Sequence, residues 1–376
     1  MNLKKNLHIL LCFLAFTMFM SRCSNPPSEP EKTLAEKLQE ALDGELAHHN
    51  VRGASAAVIV PGHDTWLGAS GISHENVPIE PEMIFGMGSI TTNSMATIVL
   101  QLAEEGVLTV DDPVRQWLPP HPKIDGKITI RQLLNHTSGL YDFTKNPDWG
   151  PAVVADFDRI WSPEETISAF VLKPNFAPGT GFEYSSTNYL VIGMIIREAT
   201  HSDVAIQLRN RILNPLGLTH TFFSVEEEIL GTLAHRWYDI NLDGHLEDLS
   251  SYSRNSLDSS LWTCGALYST AEDVVKYSRA LFQCELFTRN SLDQMLTFIP
   301  YPPIPTRGYG FGILTIPDFI PGVRAYGHDG TVPGYKARWV YLPDHGVHIA
   351  VLLNEDDYDC LTAMAIALAN VALAPH

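Results

Sequence analysis

FGMGSITTNSMATIVLQLAEEG, Phe85 to Gly106, is the stretch on which the reading of this chain turns. Ser89 stands at the head of an apolar run whose spacing predicts a helix to Glu105, stopped by Gly106. A serine at a helix start is ordinarily a cap that satisfies free backbone N–H groups. The same place suits a nucleophile, because the helix terminus favours negative charge as it develops. A lysine three residues on would share a helix face with the hydroxyl and, when neutral, would take its proton. That position is Thr92, whose hydroxyl is no base near neutral pH, and no lysine lies nearer in sequence than Lys123.

Outward from this helix the pattern has a clear order. Leu34, Leu38, Leu42 and Leu46 form an apolar helical stripe opened by Thr33 and Glu36 as a capping box. Strands are expected at Ala54–Val60 and about Thr65–Ser70, across a Pro-Gly turn. A long helical block follows, with starts at Thr129, at Ser162 in "SPEE", near Thr187, and at Ser269 with Glu272. "GYGFGILTI", "VRAYGH", "GYKARWVYL" and "VHIAVLLN" return to strands, and Tyr358–Leu373 is a final helix. Short turns make consecutive strands antiparallel. The expected fold is α+β: one antiparallel sheet flanked by the N- and C-terminal helices, plus an all-helical lobe. The sheet lobe takes about 34–85 and 300–376, the helical lobe about 86–299, with a cleft between them.

The chain has 376 residues, is 45% hydrophobic and carries a formal charge of −18. It is long enough for a sizeable core, and its acidity argues against nucleic acid as a partner. Residues 1–22 read as an export signal, with Lys4 and Lys5 before the apolar run Leu7–Met20. Cys23 then stands before a Pro/Ser-rich tether, residues 23–33, and is the candidate for lipid attachment, although Arg22 is bulky for the residue before such a cysteine. The expected location is the cell envelope or periplasm; Cys23 offers a lipid tether to the membrane, with simple signal cleavage or a retained anchor as the alternatives. Cys264, Cys284 and Cys360 are too few and too widely spaced for a disulfide framework. GxSxG and HExxH are absent from the sequence. "YDINLDGHLED" fits a calcium loop at Asp239, Asn241, Asp243 and Gly244, but Ser250 stands where a bidentate glutamate is required, so a polar hairpin tip is the preferred reading. No metal or organic cofactor is implied.

The long-range order of words is more specific than any one of them. "FGMGSITTNSMATIVLQLAEEGVLTVDDPVRQWLP", "ITIRQLLNHTSGL", "FAPGTGFEYSSTNYLVIGMIIREAT", "CGALYSTAEDVVKYSRAL" and "YGHDGTVPGYKARWVYLPDHGVHIAVLLN" occur in succession. Together they resemble the serine β-lactamase and penicillin-binding-protein superfamily, in its branch of class C β-lactamases, D-alanyl-D-alanine carboxypeptidases and related esterases. The resemblance runs from about Leu34 to the C-terminus and implies the fold just described. It also implies three site motifs. In Ser-x-x-Lys, Ser89 matches the nucleophile and Thr92 departs from the lysine. In Tyr-x-Asn, Tyr184 matches and Ser186 stands for the asparagine, with Asn188 two residues beyond. In Lys/His-x-Gly, His328-Asp329-Gly330 matches. The backbone N–H groups of Ser89 and Thr331 would form the oxyanion hole, and Ser138 of "HTSGL" would be a turn residue.

Two functions from different classes follow. One is a serine hydrolase that forms an acyl-enzyme on Ser89, with Tyr184 and His328 rebuilding the base, acting on a small-molecule or peptide acyl substrate. The other is a catalytically silent homologue that binds peptides or cell-wall fragments in the same cleft. The aromatics of Tyr141–Trp161 either border that cleft or belong to the core.

Overall fold

The computed structural model describes residues 32–375. The export signal, Cys23 and most of the tether lie outside the described residues. From Leu34 onward the chain forms one compact unit.

Its main sheet has nine antiparallel strands. From one edge to the other they are Val77–Pro78, Trp66–His74, Gly53–Ile59, Val347–Leu353, Tyr335–Leu342, Val323–Val332, Leu314–Ile320, Gly308–Tyr309 and Ile299–Pro300. The first strand therefore sits between its own hairpin partner and the last strand, with Ala54 opposite Leu353 and Ala57 opposite Ala350. Gly53–Ile59 and Val347–Leu353 are buried throughout, as strands covered on both faces must be. One face, with Ala54, Ala56, Val58, Ile349 and Val351, packs under the terminal helices Leu34–His49 and Tyr358–Leu373 through Leu38, Leu42, Leu361, Met364 and Leu368. The other face, with Ala57, Ala350 and Leu352, joins the core of the helical block.

At the centre of that block lies the helix Thr91–Glu104, buried on nearly every side. Around it, capping predictions hold at Thr129, which accepts from the Gln132 N–H, and at Ser162, with Pro163 and Glu165 completing the box. Two details differ from expectation. The helix near residue 270 is capped by Thr270 rather than Ser269, because Ser269 is the last residue of a short strand. The helical block also holds a small sheet in which Leu267–Ser269 pairs with Phe85–Gly86 and Phe222–Phe223. The strands Trp237–Tyr238 and Glu247–Asp248 form the hairpin foreseen for "YDINLDGHLED", and the Asp239 carboxylate accepts from the Asp243 and Gly244 N–H groups of its own loop. Cys264, Cys284 and Cys360 are free thiols.

His348 is buried where the helix Ala271–Phe282 crosses the sheet, with Nδ1 against the Ser278 hydroxyl at 2.8 Å and its ring stacked on Tyr341. Burial, with the Arg279 charge nearby, lowers its pKa to about 3. Below the usual value near 6.5 the unfolded chain then binds a proton that the folded chain refuses, so this residue's contribution falls as pH drops. Between pH 7 and pH 5 the wild-type protein is expected to lose about 2 kcal/mol more stability than His348→Gln. Urea melts at the two pH values check this; equal losses would show that His348 takes up its proton in the folded state.

Candidate active site

Ser89 is not a helix cap. It lies in a 3₁₀ turn, Gly88–Ile90, just before the buried helix, and no side chain caps either element. The strand Phe85–Gly86 carries the chain into this turn. Met87 N–H donates to Leu267 O at 2.8 Å, and Thr91 Oγ1 donates to Gly88 O at 2.7 Å while accepting from the Leu267 N–H. The turn is thus held by backbone on both sides, and the Ser89 side chain is left facing a cavity of about 330 Å³.

The strand Val323–Val332 passes this turn at very close range. A Cβ placed on Gly330 would lie 1.8 Å from Met87 O and 3.2 Å from Ser89 N. A Cβ on Gly88, whose φ is +50°, would lie 2.4 Å from Thr331 N. Only two glycines facing each other allow the backbones to meet this way. The approach brings the Ser89 and Thr331 backbones to one cavity wall.

Tyr184 lines the same cavity as Ser89, near enough for the serine side chain to favour its ionised form. Burial pushes its phenol well above the usual tyrosine range, and nearby Ser89 only partly offsets this. His328 lies beyond it, with ring centres 6.4 Å apart. The tautomer of His328 follows from its partners: Nδ1 faces the Asp329 carbonyl at 2.6 Å and must donate, so Nε2 accepts from the Tyr309 hydroxyl at 2.9 Å. Burial lowers the His328 pKa and keeps the ring neutral. Asp329 turns to the neighbouring strand, where it forms a two-point ion pair with Arg338 at 2.5 and 2.9 Å and accepts from the Tyr358 hydroxyl.

The two positions that depart from the family pattern do not touch each other by any hydrogen bond among the described residues. Thr92 is fully buried, and its hydroxyl donates to Ser89 O at 2.7 Å. Ser186 opens the helix Ser186–Thr200 and lines the cavity together with Cys264, whose thiol donates to Leu261 O at 2.8 Å. The Ser186 N–H donates to Asp142 Oδ1 at 3.2 Å. Asn188 points elsewhere, accepting from Ser138 Oγ at 2.5 Å and donating to His136 Nδ1 at 2.8 Å. Ser138 also accepts from the Leu140 N–H, which makes it a turn residue.

Sequence reasoning missed His136, Tyr309, Asp142 and Cys264. His136 Nδ1 also accepts from the Ser185 N–H at 3.1 Å, so Nε2 carries the proton of this fully buried ring. The ring lies on Tyr184, with centres 4.2 Å apart, and against Tyr309 at 4.7 Å. Burial, then the proximity of His328, hold its pKa far below normal. Asp142 and Cys264 line the cavity with Ser186, and burial raises the pKa of each.

A nine-stranded antiparallel sheet under two terminal helices, with a buried central helix that begins just after a cavity-facing serine, defines a β-lactamase/transpeptidase-like architecture. The family model described as Beta-lactamase matches residues 35–372, and the chain belongs to that family. It is 29% identical to "Penicillin-binding protein 4" of Amycolatopsis lactamdurans over 84% of each chain. It is 26% identical to "Penicillin-binding protein 4*" of Bacillus subtilis over 75% of this chain and 63% of the relative, so it spans less than two thirds of that protein's length. Among solved structures, a D-stereospecific amidohydrolase from Streptomyces sp. superposes with a TM-score of 0.77 at 29% identity, covering 90% of this chain and 98% of the other.

Gly330→Ala is expected to cost about 1–3 kcal/mol, because the added methyl meets backbone that has no room to yield. Gly44→Ala, within the first helix and with nothing within 4 Å of the new Cβ, is expected to be neutral or to stabilise by up to about 1 kcal/mol. Paired urea melts check both; an unchanged midpoint for Gly330→Ala would show that the strand has slack at this point.

Proposed function

We propose that the chain is an exported serine hydrolase of β-lactamase/DD-peptidase/esterase type that works through an acyl-enzyme on Ser89. The observation that carries the reading is that Ser89, Tyr184 and Thr331 line one cavity, where the strand through Gly330 is pressed against the Ser89 turn. In this reading the two backbone N–H groups receive the charge that grows on the substrate carbonyl oxygen. Tyr184 is a neutral phenol at rest, so it acts as a relay: it accepts the Ser89 proton while handing its own to the leaving atom. His328, neutral and donated to by Tyr309, holds the far side of this polar group without adding charge. Thr92 keeps the helix start in place through Ser89 O and takes no proton.

The signal at residues 1–22, the tether at 23–33 and the lipid candidate Cys23 support an envelope location for the folded unit from residue 34. The penicillin-binding-protein relatives support it too. Mass spectrometry of the native N-terminus is expected to find processing at Cys23 with attached lipid; a product that retains Met1 would overturn the proposal.

Labelling with a fluorophosphonate, followed by peptide mapping, is expected to place the adduct on Ser89 and to fail with Ser89→Ala. An adduct on Ser138 would overturn the assignment, and the absence of any adduct would favour a silent binding protein. Tyr184→Phe is expected to slow acylation by about 10²–10⁴-fold. His328 titrates below its usual value near 6.5 and Tyr184 above its usual value near 10. The acylation rate is therefore expected to be flat from pH 7 to 9, and a bell centred near 7 would show that another group is the base.

A further inference from the structure

Arg236 is a buried cation without a counter-ion. It is 4% exposed and makes no ion pair among the described residues. Its Nε and Nη2 donate to the Leu249 and Tyr252 carbonyls at 3.2 Å each, and its Nη1 has no hydrogen bond among the described residues. Buried charges are ordinarily paired, because neutral carbonyls alone do not replace the solvation that is lost.

This guanidinium borders a cavity of about 150 Å³ whose wall it shares with His235, Ser250, Arg254 and Tyr335. No residue of that wall lines the Ser89 cavity. Arg254 brings a second guanidinium, held over the Tyr268 ring at 5.1 Å from its centre. Its Nε is buried without a hydrogen bond, 3.5 Å from Asp258 Oδ2. The nearby carboxylates are already engaged. Asp258 accepts from Ser224 Oγ at 2.6 Å and from the Tyr268 hydroxyl at 3.0 Å. Asp248 faces His235 Nδ1 at 2.6 Å and accepts from the Ser250 N–H at 2.9 Å. Neither carboxylate lines the cavity. The wall hydroxyls are occupied too: Tyr335 donates to Ala234 O, and Ser250 Oγ accepts from the Arg236 N–H. The donors left over belong to the two arginines.

We propose that this cavity is an anion site that holds a free tetrahedral oxyanion, phosphate or sulfate, between Arg236 and Arg254. Guanidinium N–H groups bind such oxygens through charge-assisted hydrogen bonds. The volume lies below the roughly 300–1,000 Å³ of pockets that take larger ligands, which selects the free ion over a phosphate carried on a larger molecule. The ion supplies the counter-charge that Arg236 lacks. It also ties Arg236 to Arg254 and so fastens the two ends of the hairpin 237–248, whose Tyr238 lines the Ser89 cavity. Gly334, in the turn after the strand that carries Thr331, rests on the same arginine: a Cβ there would lie 2.6 Å from Arg236 Cβ. The site therefore braces the Ser89 cavity from outside, and it stands whether or not Ser89 forms an acyl-enzyme.

The test has two arms. In the first, inorganic phosphate is titrated calorimetrically into the purified protein at constant ionic strength, with glycerol 1-phosphate as the comparison. One saturable phosphate site is expected, and glycerol 1-phosphate bound as tightly as phosphate would overturn the assignment to a free ion. Arg254→Gln is expected to weaken phosphate at least about tenfold. Arg236→Met, which removes the unpaired buried charge, is expected to abolish the site. Undiminished affinity in either variant would overturn the proposal. The second arm needs no variant: phosphate is expected to slow amide hydrogen exchange in the wild-type protein at residues 234–236 and 249–254. Unchanged exchange in both segments, or slowing confined to other parts of the chain, would overturn the site.

Discussion

The close approach of the Gly330 and Gly88 backbones governs everything around Ser89. Two secondary elements from distant parts of the sequence meet there without side chains between them. The contact sets the height of the strand Val323–Val332 over the serine turn, and with it the position of Thr331 at the cavity wall. Both partners are held from behind. The turn is bonded to Leu267 through Met87 and Thr91, and the strand is fastened to its neighbour by the buried Asp329–Arg338 pair, which sits in register across the ladder. A buried pair of this kind is costly to break from one side, so the strand has little freedom to slide.

The titratable rings around Ser89 are neutral, while Asp142 and Asp356 line the same cavity. His136, His328 and Tyr184 are all driven by burial toward their neutral forms, and the hydrogen-bond directions agree, with each imidazole locked in one tautomer by a backbone or amide partner. A lysine at position 92 would enter a fully buried place whose hydroxyl now donates to Ser89 O.

Much of the scaffold was legible from local pattern. The leucine stripe at 34–46, the mainly apolar first and last strands, the helix start at Thr129, the capping box at Ser162 and the final helix each follow from short-range rules. The turn role of Ser138 and the divergence of Asn188 from position 186 are borne out by their mutual hydrogen bond. At Ser89 the pattern pointed to a helix start, while the structure has a 3₁₀ turn there, which leaves no mark in the apolar spacing. Tyr309 and His136 were out of reach for a different reason. Each joins the site only through contacts far apart in sequence, with His328, Tyr184 and Asn188, and neither word around them carries a residue type foreign to an ordinary strand or turn.

The order of the strands has a consequence for how the molecule comes into being. Gly53–Ile59 pairs on one side with a strand far later in the sequence, Ala54 meeting Leu353, and the helix Leu34–His49 rests on the helix Tyr358–Leu373. Loop-closure entropy must be met before such distant pairings return any free energy, which slows folding. On the ribosome the early strand and helix must wait, half-dressed, for residues 347–373. A polypeptide whose first strand lacks its partner until Leu353 has emerged keeps its sheet unfinished through most of the translation of this unit.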